Sequence, residues 1–111
     1  MSMDITTRVV RGIVIVAPHG EVDLTTSQLV RDAVDQVVDE GAAAVVLDLS
    51  DVGFMDSTAL GALISFHRRL GHRLVVAAAQ PGVLRLFEIT RFTSVLRMAD
   101  SVDTALIALR S

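Results

Sequence analysis

Apolar residues recur along this chain in two alternating rhythms, one close to continuous and one with helical spacing. Asp4 to Val10 reads as a strand, Gly12 as a turn or bulge, and Ile13 to Ala17 as a β-branched run of the kind that forms a buried strand. Strands this close in sequence pair most simply as a hairpin. Pro18, His19 and Gly20 are expected to end the second strand or break its edge. The rhythm then changes. Leu29, Val30, Ala33, Val34, Val37 and Val38 form a helical stripe, with Arg31, Asp32, Asp35 and Asp39 facing away. Thr25 and Gln28 have capping-box spacing, and Gly41 is the natural terminator.

The stretch AAAVVLDLS returns to the strand rhythm and ends at Leu49, and its unbroken apolar character suits a strand buried on both faces. After a loop, Leu60, Leu63, Ile64, His67 and Leu70 mark a second amphipathic helix, stopped by Gly71. RLVVAAA is a further strand. Pro81 opens a third helix, with Val83, Leu84, Phe87 and Ile89 expected to face inward. SVLRM fits a short edge strand. Ser101 caps a last helix on which Val102, Ala105, Leu106 and Leu109 share a face. The order β-β-α-β-α-β-α-(β)-α predicts a single α/β domain over residues 1–111. Its sheet is mixed and mostly parallel, of four to five strands, with about four helices and right-handed crossovers. Function in such sheets sits beyond the carboxyl ends of the strands, where Asp23, Ser50-Asp51 and Asp56-Ser57 are expected to converge.

Composition narrows the chemistry. Hydrophobic residues make up 51% of the 111 and aromatics 4%, so Val, Leu, Ile and Ala must build the core. Cysteine is absent, which excludes disulfides, a thiolate nucleophile and Cys-based zinc sites. The net charge is −3, and all ten basic residues are Arg, spread too widely along the chain for a nucleic-acid patch to be expected. No basic leader precedes a long apolar run, and no apolar stretch approaches the ~20 residues of a membrane span. The expectation is a cytoplasmic protein without a signal peptide and without membrane contact.

Several catalytic readings fail on missing residues. Asp48 in an apolar strand suggests an aspartyl-phosphate receiver, but that chemistry needs paired acids and a Lys, and the chain has no Lys. The glycines match neither GxGxxG nor GxxxxGK[ST]. His67 and His72 lie about ten residues or more along the helix that Ser57 begins, some ~15 Å away, and no nucleophile-elbow motif surrounds Ser57. His19 has no sequence constraint, and metal-ligand spacing is absent. Neither an enzyme, a metal nor a cofactor is expected.

What remains is DVGFMDSTALGALI, Asp51 to Ile64. On pattern alone, Asp56-Ser57-Thr58 is a helix cap worth ~1 kcal/mol. Phe54 is expected to pack inward, while Met55 suits either the core or an adaptable contact surface. GEVD (Gly20 to Asp23), VVLDLSDVGFMDSTALGALI (Val45 to Ile64) and RLFEITRF (Arg85 to Phe92) together resemble the anti-sigma factor antagonists of the STAS domain family, over nearly the whole chain. The second block is the specific one.

The resemblance implies a regulatory module of bacterial transcription, not an enzyme. The unphosphorylated antagonist binds an anti-sigma factor, an ATP-using serine kinase, and frees the sigma factor. The kinase phosphorylates the Ser after the Asp, and a phosphatase reverses this. Here the implied phosphoacceptor is Ser57, with Asp23, Asp56, Thr58 and Met55 as its environment or as partner contacts. Thr58 and Ala59 stand where Ser and Gly are common in the family. A STAS module in a stress-signalling scaffold, or an accessory to lipid transport without a phosphoswitch, is the alternative reading.

Overall fold

A computed structural model describes residues 3–110. Strands β1 (Asp4–Val10) and β2 (Ile13–Val22) form the antiparallel hairpin. Its turn residues Arg11 and Gly12 both take positive φ, 52° and 82°, as a tight hairpin turn matched to the strand twist requires. β2 does not stop at Pro18. It runs through His19 and Gly20 to Val22, with Asp4 still opposite His19. Pro18 is tolerated because it falls in a gap between two parallel pairings. β3 (Ala44–Asp48) accompanies β2 only up to Val16, and β4 (Val52–Met55) joins it only from Gly20.

β5 (Leu74–Ala77) pairs parallel with β3, and β6 (Met98–Ala99) pairs parallel with β5. The sheet runs β1-β2-β3-β5-β6, with β4 beside the second half of β2. It has six strands where the sequence pattern indicates four to five. The additional one is β4, which reads as a loop because four residues interrupted by Gly53 carry no alternation. Pairing to β2 makes it a strand.

Helices α1 (Ser27–Asp39), α2 (Ser57–Leu70), α3 (Pro81–Ile89) and α4 (Val102–Arg110) cover both faces. Val14, Val16, Val45, Leu47 and Val76 pack with α1, α2 and α3 residues including Val34, Leu63 and Phe87. The alternate positions Ile13, Ile15, Val46 and Val75 pack with Ala105, Leu106 and Leu109 of α4. Burial on both faces is why these strands are apolar at every position.

Two helix-end expectations change. No capping box forms: α1 starts after Thr26, whose side chain makes no cap bond, and Gln28 Nε2 donates instead to Asp32 Oδ1 at 2.8 Å. The Gly41 terminator is present, at φ +98°, with its N–H donating to Val38 O and that of Ala42 to Val37 O. Ile89, expected inside, is 69% exposed. Two residues past Phe87 is about 200° around a helix, which turns Ile89 away from the core.

Phe87→Ala should therefore cost about 3–5 kcal/mol of stability, because its side chain is fully buried. Ile89→Ala should stay within about 0.5 kcal/mol of the parent. Urea unfolding of the two variants measures both.

Candidate phosphoacceptor and partner-binding site

The carboxyl ends of β2 and β4 lie side by side. Asp56 N donates to Val22 O at 3.3 Å, and Gly20 N to Asp51 O at 3.0 Å. The two strands therefore deliver the β2–α1 loop and the start of α2 to the same place, as the order of elements predicts for Asp23 and Asp56.

Asp56 joins them directly. It is the extended N-cap residue of α2, and its Oδ1 accepts from Ala59 N at 3.0 Å. Its Oδ2 accepts from Leu24 N, also at 3.0 Å, thirty-two residues away in sequence. One carboxylate thus caps the helix and clasps the neighbouring loop. Asp23 serves the loop from inside: its Oδ1 accepts from Thr25 N at 2.9 Å and from Thr25 Oγ1 at 2.8 Å. Thr26, a buried hydroxyl, donates from Oγ1 to Glu21 O at 2.7 Å. The Thr25 hydroxyl and amide hold the Asp23 carboxyl below its ordinary pKa, against the opposing effect of desolvation.

Of the side chains beside the cap, the sequence places Phe54 inside and leaves Met55 open between core and surface. Met55 is 4% exposed and Phe54 48% exposed, so Met55 is a core residue and Phe54 the outward one. A bulge is the cause. Gly20 pairs with Val52, but Glu21 pairs with Phe54, which leaves Gly53 as an extra residue on β4. One inserted residue reverses the facing of everything after it, so Met55 joins Val52 inside. Met55 is left with little exposed surface of its own.

Ser57, the first residue of α2, is exposed, whereas Thr58 is only partly so. Leu24, next to the clasp, is 74% exposed. Phe54 also lines a groove of about 270 Å³ with Met55, Val83 and Leu86, between β4 and α3. Sequence reasoning missed Leu24 and Phe54 as surface residues. An apolar residue stranded in the polar run before α1 was the legible signal for Leu24; the bulge left none for Phe54. Gln80 Nε2 donates to Ser50 O at 2.9 Å, fixing the β3–β4 turn from the far side.

Asp51 also lies at this end, but its side chain turns to His19. His19 Nδ1 donates to Asp51 Oδ2 at 2.7 Å, and Thr6 Oγ1 lies 2.9 Å from Nε2. His19 is thereby held between β1 and the β3–β4 turn, with no hydrogen bond to Ser57. Among the described residues no Arg forms an ion pair with Asp23 or Asp56. The surroundings of Ser57 are acidic and apolar.

The family model described as "STAS domain" matches residues 4–105. The chain belongs to this family. Among curated relatives of this STAS domain, the anti-sigma F factor antagonist of Paenibacillus polymyxa is 30% identical over 103 residues, covering 89% of this chain and 88% of the relative. An anti-sigma factor antagonist from Mycobacterium paratuberculosis superposes with a TM-score of 0.91 at 28% identity, over 99% of this chain and 96% of the other. The Bacillus cell fate determinant SpoIIAA in its phosphorylated form superposes with a TM-score of 0.69 at 18% identity, over 98% of this chain and all of the other, a likeness of fold. Within the described residues, no helix of the STAS domain is long and apolar enough to cross a membrane.

Asp56→Ala removes the cap and the clasp together. Stability should fall by about 1–2 kcal/mol. Amide hydrogen exchange should quicken at Leu24 as well as Ala59, which loss of a cap alone would not produce. Asp23 predicts a pH effect. A carboxyl held below its ordinary value of 3.8 in the fold contributes stability above that value and loses it as pH falls through the folded pKa. The stability gap between the parent and Asp23→Asn should therefore narrow in the acid region below pH 3.8. Thermal unfolding across that range reads the gap.

Proposed function

We propose that this STAS domain is an anti-sigma factor antagonist whose partner binding is switched off by phosphorylation of Ser57. In the unphosphorylated state it binds an anti-sigma factor that is an ATP-using serine kinase, and so releases a sigma factor. The kinase modifies Ser57 and a phosphatase restores it. The observation that supports this best is the exposed Ser57 hydroxyl on the first turn of α2, beside a loop locked by Asp23 and Asp56 and next to exposed Leu24 and Phe54. Exposed apolar side chains on a rigid frame suit a protein interface, since little ordering entropy is lost on contact. The relatives named as anti-sigma factor antagonists support the same reading.

The switch follows from the difference between folding and binding. A phosphoryl group adds about −1.5 to −2 charges. At the start of α2, the N–H groups of Ser57 and Thr58 have no acceptor among the described residues, and the helix dipole favours an anion by ~0.3–1 kcal/mol. Asp56 opposes this, so the fold itself changes little in stability. Binding differs. A partner covering the helix start must desolvate the phosphate, and an uncompensated buried charge costs about 3–5 kcal/mol. That corresponds to two decades or more in affinity. Exclusion is local and does not require unfolding. Thr58, half-buried one residue further along the turn, is a poorer acceptor than Ser57.

Incubation with the cognate kinase and ATP, followed by mass spectrometry, should label Ser57. Ser57→Ala should lose the label and keep partner binding. Ser57→Asp should bind the kinase at least about 100-fold more weakly while its melting temperature stays close to the parent's. Undiminished labelling of Ser57→Ala would overturn the assignment.

A further inference from the structure

At the amino ends of the parallel strands, opposite the Ser57 pole, four Arg scattered in sequence come together. Arg11 precedes β2, Arg73 precedes β5, Arg97 precedes β6, and Arg110 ends α4. They line a cleft of about 740 Å³ with His72, over a floor that includes Ile13, Ala44 and Leu109. Among the described residues no acidic side chain lines it. Among the described residues no carboxylate lies within ion-pair distance of any of the four, although the chain has thirteen acids to ten Arg. Four of the ten cations of a net-negative chain thus share one cleft with no acid among its described lining residues.

Two of them are fixed in place. Arg97 Nη1 donates to His72 O at 2.8 Å and Nη2 to Ala108 O at 3.1 Å, while Arg73 Nη1 donates to Ala43 O at 3.1 Å. These carbonyls, one from the last turn of α4, carry partial negative charge, which lets guanidinium groups gather there without acids. Arg73 is exposed and Arg97 partly exposed. The guanidinium groups of Arg11 and Arg110 make no such bond among the described residues. Two anchored and two movable cations form a partly preorganised anion clamp.

We infer that this cleft is a second docking site, which takes an acidic, extended segment of a partner protein. Charge complementarity sets the sign, and the remaining chemistry selects a peptide over a phosphate compound. Besides guanidinium groups the pole carries the His72 and Ala43 carbonyls, acceptors that suit a peptide N–H, whereas a phosphate brings no donors. No Phe, Tyr or Trp lines the cleft to stack a base. An adjoining depression of about 430 Å³ shares Arg11 and Arg110 and is lined by Val10, Leu106 and Ile107, with Asp103 its single acid. Ile107 is 65% exposed. Apolar side chains between the acids of a ligand would lie there. The site is independent of Ser57 and of the proposed switch.

A fluorescent peptide of alternating Glu and Leu tests this with the whole chain. Binding should weaken steeply as ionic strength rises from about 0.05 M to about 0.15 M. Amide NMR shifts should gather at Ile13, Ala44 and Leu109 and spare Ser57. The Arg11→Gln/Arg110→Gln double variant should bind about ten-fold or more weakly with an unchanged melting temperature, while Arg85→Gln, outside the cleft, should bind like the parent. Ser57→Asp should leave this affinity unchanged. Absence of binding at low salt would overturn the inference, as would shifts centred on Phe54 or equal affinity in the double variant. So would displacement of the peptide by inorganic phosphate, or stronger binding to phosphatidylserine vesicles. Shifts at the cleft that grow with protein concentration alone would replace the acidic segment by a second copy.

Discussion

One strand has to satisfy three others. β2 lies against β1 from Ile13 to His19 on one edge, and divides its other edge between β3 up to Val16 and β4 from Gly20. Backbone N–H and C=O groups inside a sheet must be paired, so a strand that outlasts its neighbour needs a replacement. β4 is that replacement. Its arrival places the start of α2 against the β2–α1 loop, and its bulge decides that Phe54 is exposed and Met55 is not. The candidate site is the geometric result of this division.

Asp56 makes that junction rigid. Its two carboxylate oxygens serve different segments, one the first turn of α2 and one the Asp23 loop. Bonds to a charged acceptor are stronger than neutral ones, and both donors would otherwise lack partners. Asp23 repeats the device on a smaller scale within its own loop. The acids near Ser57 therefore have structural occupations first. In the proposed switch, their charge would act on a phosphate at Ser57 as a secondary consequence of holding the backbone in place.

Charge is also divided between the two ends of the sheet. Asp23, Asp51 and Asp56 lie at the carboxyl pole, whereas Arg11, Arg73, Arg97 and Arg110 lie at the amino pole. Elsewhere the opposite charges meet, as where Arg69 bridges Asp35 and Asp39 and ties α2 to α1. Hydrogen bonding to Asp39, with the field of both acids, raises the Arg69 pKa despite some desolvation. That pairing is exposed and contributes little. Asp51 meets only His19, and among the described residues Asp23, Asp56 and the four Arg of the amino pole form no ion pair.

The order of elements was legible in the residues, because burial on one face or on two leaves a periodic mark. The stripes of α1 and α2, the β-branched run of β2, the Ser101 cap and the Gly41 terminator are all local features. So was the start of α2, where a carboxylate and a hydroxyl precede an apolar helix. Other properties had no local mark. β4 exists only because β2 outruns β3, and the bulge at Gly53 reverses Phe54 and Met55 by pairing geometry. Arg11, Arg73, Arg97 and Arg110 look dispersed along the chain and become neighbours because parallel strands start at the same pole. Sequence by itself determined the helices and every strand but β4, since propensity and burial act on neighbouring residues. Tertiary structure decided which residues face the solvent together, since pairing register and strand order act between residues far apart in the chain.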